Sequence, residues 1–464
     1  MMKATTIIYQ VIFASLLLVG CTKVDLCDEG THPHVVEGFS VTYNWSDLEL
    51  SDADTPERMY FVATRILNTR HMVYQTDKDG KFWVEKSEEE EKEPETNPDD
   101  SGSETPDNGD EPVTREDNAT ETPDDNTESG GEYQPEIKLP GGEYFMMAFT
   151  DPRYPELTEY KEKLDEEGKV MKDKDGNSII DIIKKEDDRV ELVNLDKFTA
   201  DEAIPVKQIV MRHASVEPDK VREVLVGNRK WADLNPGIGY VKDAGRKLLV
   251  ARHDYLELDA GKNYVQPFDF APLTQHVKIM FTVQLLPDEN GNQLTAEDLD
   301  AIFLDMAGIA PEVSLSTGIL NIAELKRVVV EVTEKKVTQS TEDDKLVTTL
   351  SCTAFLNVFG LIGNVDSYTI TGPGVCNIVL YPTDNTKTPF RAKANLSKQI
   401  KEQAITAETG TVNERKKTKD EVSLTVRIPF RIVGENPEKG SDGVEGWIPA
   451  DDDIYEDILS LIHI

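Results

Sequence analysis

The sequence predicts an all-β protein built from two sandwich domains. Three observations carry this. Short runs with apolar residues at every second position recur along the chain, and residues that favour turns separate them. Helix-like runs are few. The length, 464 residues, exceeds one ordinary domain and sets an expectation of two.

The chain opens with Lys3, an uncharged run from Ala4 to Gly20, and then Leu18-Val19-Gly20-Cys21. A charged start, an apolar middle and a small residue before the cut form the layout of a signal peptide. A lipoprotein signal further requires cysteine just after the cut, because its thiol receives diacylglycerol. The run is a little short for a transmembrane anchor, which needs about 20 apolar residues, and Gln10 interrupts it. A plain secretory signal would not need the cysteine. Residues 1–20 therefore read as a lipoprotein signal peptide. Cys21 is the lipidation site, carrying diacylglycerol and an N-acyl chain, and no other cofactor is expected. Residues 21–34 form a polar tether. Its acidic residues and Thr22 resemble the sorting patterns of lipoproteins sent to the surface of the outer membrane.

Strands follow. In FSVTYNW, Phe39, Val41, Tyr43 and Trp45 share one face. RMYFVATRIL and HMVYQT extend the pattern, and DKDG (77–80) supplies a turn before KFWVE. From residue 85 to 132 the chain holds 20 acids against Lys86, Lys92 and Arg115, a net charge of −17. With almost no apolar residue to bury, 86–132 is expected to be a disordered insertion. LPGGEYFMMAFT restarts the strands. PELTEYKEKLDEEG reads as a short exposed helix, and VMKDKDGNSIIDII as a hairpin. PVKQIVMRHASVEP and GRKLLVARHDYLELDAGKNYV are further strands.

Near Pro272 the pattern starts again with the long run from His276 to Leu286. Thr295, followed by acids, is a candidate helix cap in TAEDLDAIF. GIAPEVSLSTG, LKRVVVEVT, KLVTTLSCTAFLNVFGL, VCNIVLYP and VSLTVRIPFRIV complete the strands. The expected division is 35–271 for the first sandwich, 272–435 for the second, and 436–464 for a C-terminal linker and apolar tail. In that tail Ile458, Ser460, Ile462 and Ile464 fall on one face if it is extended. Such a segment calls for a cover. It either folds back on its own sandwich, or forms a short terminal helix, or serves a strand groove used in assembly.

The formal net charge of −38 argues against nucleic acid, whose binding rests on neutralised phosphates. It also argues against peripheral docking on anionic lipid. Besides Cys21 the cysteines are Cys27, Cys352 and Cys376, with no metal-type spacing. An oxidising compartment permits a Cys352–Cys376 disulfide; the apolar runs that hold both residues equally fit buried free thiols.

Several motifs together resemble a known group: the lipobox, LPGGEYFMMAF, FDFAPLTQHVKIMFTVQ and GIAPEVSLSTG. They resemble the fimbrillin-like lipoproteins of Bacteroidales, in particular the anchoring subunits of type V fimbriae and a nearby lipoprotein family of unknown function. The resemblance spans the mature chain apart from the acidic insertion, and its motifs are packing and turn motifs. It implies two tandem transthyretin-like (Greek-key) β-sandwiches and a role in anchoring, initiating or capping fimbriae. The acidic insertion departs from that pattern, as does the absence of an Arg-flanked processing site before the first strand.

No catalytic signature stands out. GIGYVK has Lys242 where a dinucleotide loop needs its third glycine. The two DKDG stretches lack the acidic first and twelfth ligands of a calcium loop. His32 and His34 lie in the tether, Asp254 and Glu257 are one of many carboxylate pairs in a chain with 88 acids, and Trp231 reads as a loop cover. The expected function is non-enzymatic: an outer-membrane, surface-exposed lipoprotein whose partners are fimbrial subunits reached through strand contacts. The alternative is a surface glycan- or ligand-binding lipoprotein of a nutrient-uptake system.

Overall fold

The computed structural model describes residues 34–51, 54–67, 70–85, 131–154, 157–162, 169–172, 180–195, 205–230, 238–342, 344–365, 369, 371–384, 387–434 and 445–449. The signal peptide, Cys21, Cys27, almost all of the acidic insertion, Trp231 and the tail with Ile458, Ser460, Ile462 and Ile464 lie outside them. With 54% strand and 6% helix, the all-β expectation holds.

The N-terminal half is built on a seven-stranded sheet. Its central strands are Leu249–Leu258, Gly142–Thr150 and Arg58–Arg65, followed by His71–Asp77, Phe82–Glu85 and Gly131–Gln134, with Ala271–Pro272 at the other edge. The strand Arg58–Arg65 is apolar at consecutive positions because both of its faces are covered. Met59, Phe61 and Ala63 face one core, which the parallel pair Gly38–Asn44 and Asn263–Asp269 closes. Phe61 is the hub of that core, with ring centroids 5.7 Å from Phe39, 5.5 Å from Phe82 and 5.8 Å from Phe268. Each such buried ring contributes roughly 2–3 kcal/mol. Tyr60 and Val62 point the other way, into a second core.

That second core joins the halves. Its opposite wall is a six-stranded sheet in the order Thr406–Glu408, Glu414–Lys417, Ile319–Asn321, Glu312–Ser314, Val210–His213 and Val190–Val193. Two of these strands precede residue 272 and four follow it. Ile209, Met211, Val313, Leu315 and Leu320 pack from this bridging sheet against Tyr60, Val62, Met147, Phe149 and Val250. Residues 35–271 and 272–435 thus share a sheet and a core.

The C-terminal half is a sandwich. One sheet pairs Gln275–Leu286 with Lys345–Val358 over eleven registered residues and adds Glu334–Glu342 at its edge. Glu421–Thr425 and Phe430–Val433 run parallel to Gln275–Leu286 along successive stretches. The facing sheet has Leu299–Ile309 and Val375–Pro382 at its centre, flanked by Lys326–Glu331 and Phe390–Asn395. Gln275–Leu286 alternates strictly, with Val277, Ile279, Phe281, Val283 and Leu285 buried. Tyr240–Val241, from before residue 272, extends the facing sheet by pairing parallel with Lys326–Glu331.

Three local readings differ from the structure. Leu157–Glu162, expected to be helical, is a strand paired antiparallel with Ile180–Lys185. An isolated helix this short is marginal in water, and Thr158 and Tyr160 are strand formers with a partner at hand. The cap at Thr295 exists: its N–H and hydroxyl both donate to Asp298, at 2.7 Å each. It starts only a single 3-10 turn, Ala296–Asp298, because the apolar run Leu299–Ile309 is drawn into the sheet. Within the stretch read as a C-terminal linker, Glu445–Pro449 pairs parallel with Phe390–Asn395.

The facing sheet buries a charge. Arg327 and Asp305 have fully buried side chains. The Arg327 Nε donates to Asp305 at 3.0 Å, a second guanidinium nitrogen also reaches that carboxylate, and Asn377 donates to it at 3.0 Å. The Tyr240 ring covers the guanidinium at 4.7 Å. Removing one partner of such a pair leaves an uncompensated buried charge, at a cost of about 3–5 kcal/mol. Arg327→Met should therefore lower the unfolding free energy by about 3 kcal/mol or more in urea titrations. Asp305→Leu combined with Arg327→Met should recover much of that loss.

Candidate functional site: the joint and the open edges

The segment between residues 187 and 247 carries the polar groups that fasten the two halves. Asp243 accepts from the Asn357 N–H at 2.6 Å with one oxygen and from the Gly245 N–H at 2.7 Å with the other. Asn357 belongs to the C-terminal half. Burial pushes the Asp243 carboxyl up to about 6. Gly245 has φ +71°, and a Cβ there would overlap the Arg189 guanidinium, which is held by Asp187. Gln275, fully buried, donates to the Ile405 and Lys419 carbonyls at 3.1 and 3.0 Å and accepts from the Leu361 N–H at 3.0 Å. On the N-terminal side, Arg58 donates to buried Asp151 at 2.8 Å, and Arg246 donates to the Asp151 and Pro152 carbonyls.

His213 ends the bridging strand Val210–His213. Its ring lies 4.2 Å from that of Phe359, whose N–H donates to Nε2 at 3.3 Å. That bond requires a neutral ring with its proton on Nδ1. Burial pushes the imidazole down to about 3.

The resemblance motifs lie around this joint. Leu139 and Tyr144 are buried in the N-terminal core, and the Tyr144 hydroxyl donates to the Pro140 carbonyl at 2.7 Å. Gly308, at φ +100°, has the Ile362 carbonyl where a Cβ would stand. Ala310 belongs to the shared core. These are packing roles, as expected of them.

Other residues singled out in the sequence do not come together as a site. Cys352 and Cys376 are free, buried thiols, so the disulfide reading is corrected. They sit on opposite sheets of the sandwich, paired to Phe281 and to Met306. Facing sheets stand about 10 Å apart, whereas a disulfide needs Cα atoms within about 7 Å. Burial raises the two thiols to about 11 and about 12. Trp45 packs beside Tyr43 and Phe270 in the N-terminal core. Asp77, in the first DKDG, is a turn former that accepts from the Asp79 and Lys81 N–H groups. Among the described residues no group of three or more His, Cys, Asp or Glu could hold a metal ion.

What the structure does offer is open strand edge. Among the described residues Glu334–Glu342 pairs on one side only, with Lys345–Val358, and all nine of its residues are exposed. The row of main-chain groups on its other side is free to pair with another strand. Composition alone conceals this strand, since EKKVTQSTE has no apolar face.

No protein-family model and no curated protein matches the chain. Several solved structures do in part. A candidate adhesin of Bacteroides ovatus shares 11% identity over 91% of this chain and 99% of its own, with a TM-score of 0.36. A candidate polysaccharide-binding protein of Bacteroides thetaiotaomicron shares 8% over 84% and 92%, at 0.34. The fimbrial anchor protein Mfa2 of Porphyromonas gingivalis shares 12% over 84% and 90%, at 0.30. The matches are of the group that the sequence resembles. At these scores no residue's role follows from them.

Two outcomes are expected. The folded pKa of His213 lies below its unfolded value of about 6.5, so its contribution to stability is present at neutral pH and is lost as pH falls from 6.5 toward 3. His213→Gln keeps an acceptor for Phe359 without that titration. Between pH 7 and pH 5 wild type should lose about 2 kcal/mol relative to the variant in denaturant titrations. Cys352 and Cys376 should resist a maleimide reagent in the native protein and react once it is unfolded, as read by intact mass.

Proposed function

We propose that this chain is an outer-membrane lipoprotein, acylated at Cys21 and exposed at the cell surface, that anchors, initiates or caps a fimbria-like assembly. It is not an enzyme; its work is mechanical. Lipid at Cys21 fixes one end, and sheets joined through a shared core carry load outward. A strand of another subunit adds to an open edge, main-chain hydrogen bonds giving affinity and side chains giving register.

The observation that carries this reading is the nine-residue edge Glu334–Glu342, exposed throughout and held on one side by a long, well-registered neighbour. Its charges argue for a partner other than itself. If two copies paired antiparallel with all nine residues aligned, Glu334 would stand opposite Glu342 at both ends, and like charges in cross-strand pairs repel. Lys335 and Lys336 give an incoming strand a definite electrostatic preference.

Two substitutions at neighbouring positions test the edge. Along a strand successive N–H groups point to opposite sides, so one of Val337→Pro and Thr338→Pro removes an outward-facing donor and the other an inward one. The outward variant should fold with an unchanged unfolding midpoint and lose its co-purifying subunits after gentle detergent extraction. Retention of the same subunits by both variants would overturn the edge as the contact. Separately, Cys21→Ser should abolish labelling by a fatty-acid probe and release the protein from the outer-membrane fraction. Labelling of both proteins alike would overturn the anchor.

A further inference from the structure

A cavity of about 350 Å³ lies at the end of the bridging sheet. Three separate segments build it: residues 363–365, the short helix Ser397–Glu402 with its exit at Ala404, and the hairpin arms bearing Thr406, Glu408 and Arg415. Gly363 lets the first segment approach, since a Cβ there would stand 3.0 Å from the Ser397 Cα. Ala404 is held at φ +47°, a left-handed conformation unusual for a residue with a side chain. Its N–H donates to the Lys401 carbonyl, and its own carbonyl accepts from Thr418. The backbone is thus turned sharply at the cavity wall.

The lining has three chemical parts. Ala404 and Val365, the latter 94% exposed, supply an apolar wall, with Ile400 behind it in the core. Lys401 and Arg415 bring two positive charges, conspicuous in a chain of net charge −38. Glu408 accepts one bond from Arg415 at 3.2 Å, and Thr406 adds a hydroxyl beside it. Arg415 has five donors in all and uses part of its fork on Glu408.

We propose that this cavity binds an acidic sugar, a pyranose carrying a carboxylate. The carboxylate meets Lys401 and the remaining edge of Arg415. The ring hydroxyls donate to Glu408 and exchange hydrogen bonds with Thr406, and the C–H face of the ring lies on Ala404 and Val365. Inorganic phosphate fits less well: it has no use for the apolar wall, and at neutral pH it offers Glu408 repulsion more than donors. A neutral sugar offers no counter-charge to Lys401, Arg415 being already paired with Glu408. The volume is that of a small-ligand site. The inference is independent of the strand-edge role, because its residues lie on other elements.

The test titrates the full mature chain with sodium glucuronate, glucose and sodium acetate by ligand-observed NMR and calorimetry. Glucuronate should bind with a dissociation constant on the order of 1 mM. Glucose and acetate should each bind about tenfold more weakly, since each offers only part of the contact set. Lys401→Gln, at an exposed position, should weaken glucuronate about tenfold, and Lys401→Arg should restore most of the loss. Raising salt should weaken binding in wild type more than in Lys401→Gln. Three results would overturn the proposal: no glucuronate binding at about 20 mM, equal affinity for acetate and glucuronate, or glucuronate binding untouched by Lys401→Gln.

Discussion

An arginine with no exposed surface can stand in the middle of a β-sandwich only if something answers its charge. For Arg327 that is Asp305 on the neighbouring strand, with Asn377 on the strand beyond it and the Tyr240 ring laid over the guanidinium. Tyr240 belongs to the segment that leaves the N-terminal half and enters the C-terminal sheet. The desolvated pair therefore requires the crossing segment to be in place. The crossing segment in turn contributes Val210–His213 to the bridging sheet, and the bridging sheet closes the second face of the N-terminal sheet. Buried ion pairs of this kind add little net stability over apolar residues but penalise every arrangement that breaks them. Separation of the two halves would leave Arg327 paired with Asp305 within its own sheet but strip the Tyr240 ring from the guanidinium and let water reach the pair.

The proposed mechanical role rests on the same constraint. A protein that connects a membrane anchor to a filament must pass force through its body without yielding at a linker. A shared sheet, a shared apolar core and the polar clasp of Asp243 on Asn357 and His213 on Phe359 put many interactions in parallel across the place where a flexible joint would otherwise sit. The open edge at Glu334–Glu342 belongs to the C-terminal sandwich, whereas the chain leaves toward Cys21 from the N-terminal half. In the proposed role, attachment and pairing lie on different halves, with the joint between them.

Much of the fold was legible in local pattern. The strict alternation of Gln275–Leu286 and the shared face of Phe39, Val41, Tyr43 and Trp45 are visible to a reader of single strands, because half-buried strands advertise their inner face. The doubly apolar Arg58–Arg65 identifies a central strand without saying what covers its second face. Leu157–Glu162 misleads because its sequence suits an exposed helix as well as a strand, and its pairing partner is supplied from more than fifteen residues away. Thr295 and Asp298 announce a cap correctly, but a cap does not fix how long a helix lasts. The crossing at residue 272 was not legible. It depends on Tyr240 meeting Arg327 and on Val210 meeting Ser314, contacts between positions far apart in sequence. The cavity is hidden for the same reason. Lys401 and Arg415 look like two solvated charges until the turn at Ala404 sets them on one wall.

The central claim is that the two halves form one cooperative unit. Amide hydrogen exchange of the full mature chain across a denaturant series tests it most directly. The account predicts that the core strands Arg58–Arg65 and Gly142–Thr150 share one opening free energy and one denaturant dependence with Gln275–Leu286 and Leu299–Ile309. If either pair opened at lower denaturant while the other stayed protected, the halves would be independent domains and the account would be contradicted.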